Sequence, residues 1–188
     1  VTPELRTDRL VLRRWKEDDR APFAALNADP VVMEHFPAPL TRAESDAMID
    51  RIEAFFDEHG FGLWAMEAAG TGEFLGFTGL SVPRFEAHFT PAVEIGWRLA
   101  RSAWGRGYAS EAARRALRFA FEDRRLDEVV SFTSPTNVRS QAVMERIGMA
   151  RDASGDFDHP LVPDGHRLKR HVLYRVTAAE FTAGVSGT

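Results

Sequence analysis

The apolar positions change period along this chain, and the changes mark its elements. Leu10 and Leu12, with Trp15 beyond, follow a two-residue step and predict a strand over about residues 8–15. Asp18 and Asp19 can cap a short helix through Leu26, because carboxylates accept from the free N–H groups of a first turn. Thr41-Arg42-Ala43-Glu44 has the spacing of a capping box. Met48, Ile49, Ile52, Phe55 and Phe56 then recur at helical spacing, and Gly60 supplies a stop. Leu63 to Glu67 and Phe74 to Leu80, joined through Gly70-Thr71-Gly72, predict an antiparallel hairpin.

Pro83 to Thr90 reads as an irregular loop, followed by a strand over 92–99. In that strand Val93, Ile95, Trp97 and Leu99 share one face, and Ala92, Glu94, Gly96 and Arg98 the other. A glycine-rich turn leads into a helix whose stripe is Ala109, Ala112, Ala113, Ala116, Leu117, Ala120 and Phe121. Val129 to Thr133 is a further strand. Asn137 can cap a helix carrying Val138, Val143, Met144 and Ile147, closed by Gly148. Strands near 149–157 and 168–176 complete the set. Mixed connections of this kind imply an α+β fold with a mixed sheet, not a repeated βαβ array.

The 188 residues suit one domain over 1–188, with a core from about 4 to 176. Hydrophobic residues make up 44% and charged residues 28%, ordinary for a globular chain. The net charge of −4 argues against a broad nucleic-acid surface, though not against a local basic pocket. Zero cysteines exclude disulfides, thiolate metal sites and a cysteine nucleophile. No apolar run reaches the length of a membrane span, and the first residues lack a secretion-signal layout, so a soluble, cytoplasmic protein is expected. His159, His166 and His171 are spaced too loosely for a helical ligand pair, so no metal is expected.

The segment with most chemistry is Trp104-Gly105-Arg106-Gly107-Tyr108-Ala109-Ser110, between strand and helix. Free N–H groups at a helix start, with glycines that let the backbone approach a ligand, suit a phosphate or diphosphate. Arg101 and Arg106 add local positive charge. An ordinary strand-to-helix turn fits the glycines equally well. A dinucleotide turn fits worse: Ser110 stands where a third glycine belongs, and the next strand ends in Thr133-Ser134 without an acid. No Gly-Lys-Ser/Thr follows, which rules out a Walker loop.

Four separated motifs together resemble the GNAT acetyltransferase superfamily, most of all its ribosomal-protein-alanine N-acetyltransferase branch. They are Thr7-Asp8-Arg9-Leu10-Val11-Leu12-Arg13, Glu94-Ile95-Gly96-Trp97-Arg98-Leu99, Trp104 to Ala112, and Asn137-Val138-Arg139-Ser140 with Ile147-Gly148-Met149. The likeness spans about residues 4–176. One departure is Trp104, at a position where the wider superfamily often has Gln or Arg. The resemblance implies a splayed mixed sheet flanked by helices and acetyl-coenzyme A as co-substrate. It implies that the backbone of Gly105, Arg106, Gly107, Tyr108, Ala109 and Ser110 holds the diphosphate. It also implies that the edges of Trp97, Arg98 and Leu99 pair with the pantetheine arm, and that Asn137 bonds the same arm.

Acetyl transfer to an amine requires a neutral amine, a stabilised oxyanion and a protonated or stabilised thiolate. Glu94 is the candidate base, being the one acid in an otherwise apolar strand; a solvent-facing acid fits the alternation as well. Ser140 is the candidate proton donor at sulfur, with a solvent-facing serine as its plain alternative. Asn137 as a helix cap competes with Asn137 as a pantetheine ligand. Asp156, Asp158 and His159 are expected, by analogy, to border the acceptor pocket. Trp64, Phe74 and Phe77 read as core. The acceptor stays open between a protein N-terminus and a small amine. A homodimer is compatible with the sequence, and a non-catalytic acyl-coenzyme A sensor is the rival reading.

Overall fold

The computed structural model describes residues 3–186. A short hairpin opens the chain: β1 (Leu5–Arg6) pairs antiparallel with β2 (Leu10–Arg13), turning on Thr7 to Arg9. The expected strand over 8–15 is thus shorter. Its last residues leave the sheet for a 3-10 turn, Glu17–Asp19. Asp19 does not cap the following helix through its side chain. Its carboxylate instead accepts two hydrogen bonds from Arg13, at 2.7 and 2.9 Å, and one from the Lys16 N–H at 2.8 Å. Helix α1 (Arg20–Ala28) and helix α2 (Arg42–His59) follow. The capping box at Thr41 and Glu44 is present, and Gly60 ends α2 in the left-handed conformation at φ 72°. That stop costs a glycine little and another residue about 1–2 kcal/mol.

The hairpin of β3 (Leu63–Ala68) and β4 (Phe74–Ser81) pairs on to β5 (Glu94–Leu99), all antiparallel. Helix α3 (Tyr108–Arg118) begins after the glycine turn and runs into a π-helical turn, Phe119–Asp123. Then come β6 (Glu128–Thr133), α4 (Val138–Arg146), β7 (Ala150–Asp158) and β8 (Arg170–Thr177). A last helix, α5 (Ala178–Ser186), was not expected. Val138, at the first position of α4, is 69% exposed, whereas Met144 is buried.

One eight-stranded sheet results, in the order β1-β2-β3-β4-β5-β6-β8-β7. All neighbours are antiparallel except β5 and β6, which are parallel and paired at a single position, Glu94 with Val130. The sheet therefore divides there. Ala112, Ala113 and Ala116 of α3 are fully buried, and their small side chains let the helix lie close on the sheet. Trp64 is fully buried between Phe56 of α2 and Phe119, with ring centroids at 5.5 and 5.3 Å. Phe77 is buried and Phe74 packs against the same core. The loop over 83–90 adds a second, aromatic cluster, where Phe89 packs on Phe132 and Phe157. No helix among the described residues is long and apolar enough to cross a membrane.

Candidate active site

The divided sheet leaves main-chain groups without partners, and its ladder phase shows which ones. Ala100 N–H bonds to the Leu75 carbonyl at 2.8 Å, so in the β4–β5 register the even-numbered residues Glu94, Gly96 and Arg98 turn their backbone toward β4. The odd-numbered residues face β6. There the Val93 carbonyl accepts from Val130 N–H at 2.9 Å, and the Ile95 carbonyl accepts from the Ser131 hydroxyl at 2.9 Å. Beyond this point the strands part. Among the described residues β5 and β6 pair at no position past Glu94, so the Trp97 N–H and C=O and the Leu99 N–H face the gap, while the Leu99 carbonyl accepts from Trp104 Nε1 at 3.0 Å. Of the three residues expected at the free edge, Trp97 and Leu99 are there. Arg98 is not: its backbone is committed to β4, as the two-residue period of a strand requires.

The glycine turn presents a second set of open donors. Among the described residues, none of the six N–H groups from Gly105 to Ser110 has a protein acceptor; the ladder of α3 begins with Glu111 N–H to the Gly107 carbonyl at 3.1 Å. Gly105 and Gly107 are left-handed, at φ 74° and 78°, which aims successive N–H groups to one side. A Cβ on Gly105 would meet nothing within 4 Å, so open space lies where a ligand would approach. The β1–β2 turn braces this loop. Arg9 donates from Nε to Glu111 at 2.7 Å and from Nη1 to the Arg106 carbonyl at 3.0 Å, and its guanidinium lies 4.7 Å over the Tyr108 ring. Thr7 donates to Glu111 at 2.6 Å.

Both sets open into one cleft of about 2040 Å³. That exceeds the roughly 300–1,000 Å³ of a pocket for one small ligand, so a cofactor and a second substrate fit together. Arg101 and Arg106 are exposed and do not line it. Its positive charge comes from Arg6 and Arg9 of the first hairpin, Arg98 of β5, Arg114, Arg115 and Arg118 of α3, and Arg139 and Arg146 of α4. Arg115 Nη1 is sealed from solvent without a hydrogen-bond partner, and the Arg139 guanidinium lies 4.5 Å over the Trp104 ring. Trp104 thus links β5 to α4, the work it does in place of a polar residue. The sequence carried a signal for these arginines: 114 and 118 are one helical turn apart, and 139 and 146 two turns.

Glu94, Ser140 and Asn137 all line the same cleft. Glu94 shows some surface to it but is otherwise enclosed, with only the Ser81 hydroxyl near, at 3.5 Å. Burial pushes its carboxyl up to about 8, and the Ser81 contact lowers it only in part. Asn137 caps α4: its Oδ1 accepts from Ser140 N–H at 3.2 Å and its Nδ2 donates to Thr133 Oγ1 at 3.0 Å. One amide hydrogen is left for a ligand. The Ser140 hydroxyl has no protein partner among the described residues.

Phe132, His159, His171 and Leu168 also wall the cleft. Burial pushes the imidazole of His171 down to about 4 and that of His159 below its usual range, so both are neutral at pH 7. Asp156 and Asp158 are not there. They lie on β7, paired with Arg151 at 2.7 Å and Arg170 at 3.3 Å. His35 was missed by sequence reasoning; it lines the cleft and its Nδ1 is 3.2 Å from the Ser134 hydroxyl. Among the described residues no group of three or more His, Asp or Glu side chains is placed to hold a metal.

A divided mixed sheet, a helix start with open N–H groups and a basic cleft together define an acyl-coenzyme A transferase site. The acetyltransferase (GNAT) domain model matches residues 9–150, three quarters of the chain, and the chain belongs to that family. It is an acetyl-coenzyme A-dependent acyltransferase. It is 33% identical to the FsC-acetyl coenzyme A-N(2)-transacetylase of Aspergillus fumigatus, over 95% of this chain and 78% of that one. It is 31% identical to an acetyltransferase of known structure from Agrobacterium tumefaciens, covering 94% of this chain and 95% of that one with a TM-score of 0.75. RimL, a ribosomal-protein alpha-N-acetyltransferase solved with coenzyme A, shares the fold: TM-score 0.74, 16% identity, 93% of this chain and 98% of that one.

Proposed function

We propose that this chain, as a single domain, transfers the acetyl group of acetyl-coenzyme A to a primary amine by direct attack. The observation that carries the reading is the run of six open N–H groups from Gly105 to Ser110 at a cleft lined by arginines of α3 and α4. Such a run suits a diphosphate, since each donor gains a charge-assisted bond and the helix dipole adds to it. The open edge of Trp97 and Leu99 suits the amide-bearing arm, which would add as a strand to that edge. Asn137 has one amide hydrogen left for the same arm. The thioester supplies an electrophilic carbonyl carbon and a sulfur leaving group.

The remaining roles fall to this chain's residues. Trp97 N–H, facing the gap where the strands part, donates to the carbonyl oxygen as it gains charge. Glu94 accepts the proton that the amine nitrogen loses as the C–N bond forms. A base with pKa about 8 can take that proton because the nitrogen becomes far more acidic as it bonds to the carbonyl carbon. The Ser140 hydroxyl donates to the sulfur as the C–S bond breaks and its electron pair departs. Mass spectrometry of an amine panel incubated with acetyl-coenzyme A tests the proposal. A gain of one acetyl group on an amine is expected, with free thiol released in equal amount. Tight binding of the thioester with no amine modified would replace the proposal with the sensor reading.

A further inference from the structure

Arg98 is a buried cation without an anion. The residue is 9% exposed and sits on the same face of β5 as Glu94, the face that α1 covers. Its Nη1 donates to Asn27 Oδ1 at 2.6 Å. Asn27 is itself fully buried and is fixed by donating from Nδ2 to Ser45 of α2 at 2.9 Å. The guanidinium lies 4.0 Å from the Phe36 ring centroid and 5.4 Å from that of Phe77. An amide oxygen and two rings leave the charge uncompensated, and no carboxylate of the described residues pairs with it. Elsewhere this protein pairs its buried arginine: Arg13 has both Asp19 and Glu67.

Isolated buried charges are costly, so they are found paired or facing a ligand. Nε of Arg98 is sealed with no partner, whereas Nη2 has no protein partner and is not sealed. Arg98 is part of the cleft wall, so the space Nη2 reaches is the cleft. Burial pushes the guanidinium down to about 10, which leaves it charged at neutral pH.

We propose that Arg98 binds a carboxylate on the acceptor, so that the substrate is an amino acid-like molecule bearing both an amine and a carboxylate. This rests on the acetyltransferase reading of the same cleft. Glu94 and Arg98 are four residues apart on one strand face, about 13 Å between their Cα atoms. The amine at Glu94 and the carboxylate at Arg98 are therefore separated by a spacer, as in an ω-amino acid.

The test is the ratio of kcat/KM for straight-chain ω-amino acids to that for their carboxamides, which have amines of matched basicity. Wild-type protein is expected to favour the acid by about tenfold or more, the scale of one charge-assisted bond. Arg98→Gln is expected to bring the ratio to about one, and Arg98→Lys to keep part of it. A merely structural Arg98 would lower both rates and leave the ratio unchanged, which overturns the proposal. Equal use of acid and amide by wild-type protein overturns it too, with the acetyltransferase reading intact. Acetylation of no amine at all removes both. If Arg98→Gln does not fold, the wild-type ratio and Arg98→Lys decide.

Discussion

The carboxyl of Glu94 gives the account its sharpest kinetic consequence. Its pKa is pushed up to about 8 because burial takes water away from it, while Ser81 offers only a 3.5 Å contact. A base with that pKa is ionised in roughly a tenth of molecules at pH 7 and roughly nine tenths at pH 9. With an arylamine acceptor, which is neutral across this range, the only titration left on the acid limb belongs to the protein. The value of kcat/KM should therefore rise about tenfold between pH 7 and 9, with a midpoint near 8. An ordinary exposed glutamate, titrating near 4.3, would give a flat line over the same interval. The assay is initial-rate thiol release at saturating acetyl-coenzyme A, at constant ionic strength, for wild-type protein and Glu94→Gln. The variant should be slower and flat. A flat wild-type profile, or a rise of equal size in Glu94→Gln, refutes the assignment of this residue as the base.

Other expectations follow from the same geometry. Gly107→Trp should abolish acetyl-coenzyme A binding by calorimetry while far-ultraviolet circular dichroism stays unchanged, because a side chain at this left-handed position is strained and points at Arg9, 3.6 Å from the new Cβ, which braces the turn; an unchanged dissociation constant contradicts it. Ser140→Ala should lower kcat about tenfold with an unchanged thioester dissociation constant, and a shift in binding alone would make the hydroxyl a ligand contact instead. Asp19→Ala leaves the buried Arg13 with Glu67 alone and two donors unpaired, and should cost about 2 kcal/mol, or roughly 4–8 °C in thermal midpoint; a loss under 1 °C contradicts that pairing. Glu94 also sets a stability trend in the free protein. A carboxyl raised on folding stabilises fully below its ordinary range, and that contribution is lost as pH rises through about 8. The midpoint difference, wild type minus Glu94→Gln, should fall from pH 5 to 9, and a constant difference would count against the raised value.

Much of the fold was legible because its signals were local. The Thr41–Glu44 capping box, the Gly60 stop and the alanine stripe of α3 each involve residues within a few turns of one another, and each formed as read. The glycine turn was legible for the same reason, with its two left-handed residues adjacent to the helix they start. Features that depend on distant partners were not. Asp19 looked like a helix cap and was instead claimed by Arg13, which needed the sheet to bring the two together. Asp156 and Asp158 looked like free acids near the acceptor and were taken by Arg151 and Arg170. The helix α5 has few strongly apolar residues, and its one large anchor, Phe181, is fixed by packing on Phe121.

The site divides along the same line. Alternation along β5 correctly grouped Glu94 with Arg98, yet it could not show that Asn27 and Phe36 would close over the arginine and leave it without an acid. Nor could it show where β5 and β6 part, since that depends on a single parallel pairing between strands some thirty residues apart. Five of the cleft arginines come from α3 and α4, and the docking of those helices depends on contacts far apart in the sequence.

The central claim is that the unpaired N–H groups at the head of α3 are the diphosphate cradle. A crystal structure of the protein with acetyl-coenzyme A tests it most directly. The account predicts phosphate oxygens within about 2.7–3.2 Å of several backbone nitrogens between Gly105 and Ser110. A bound cofactor whose phosphates lie outside that reach, with those six nitrogens still facing solvent, would contradict it.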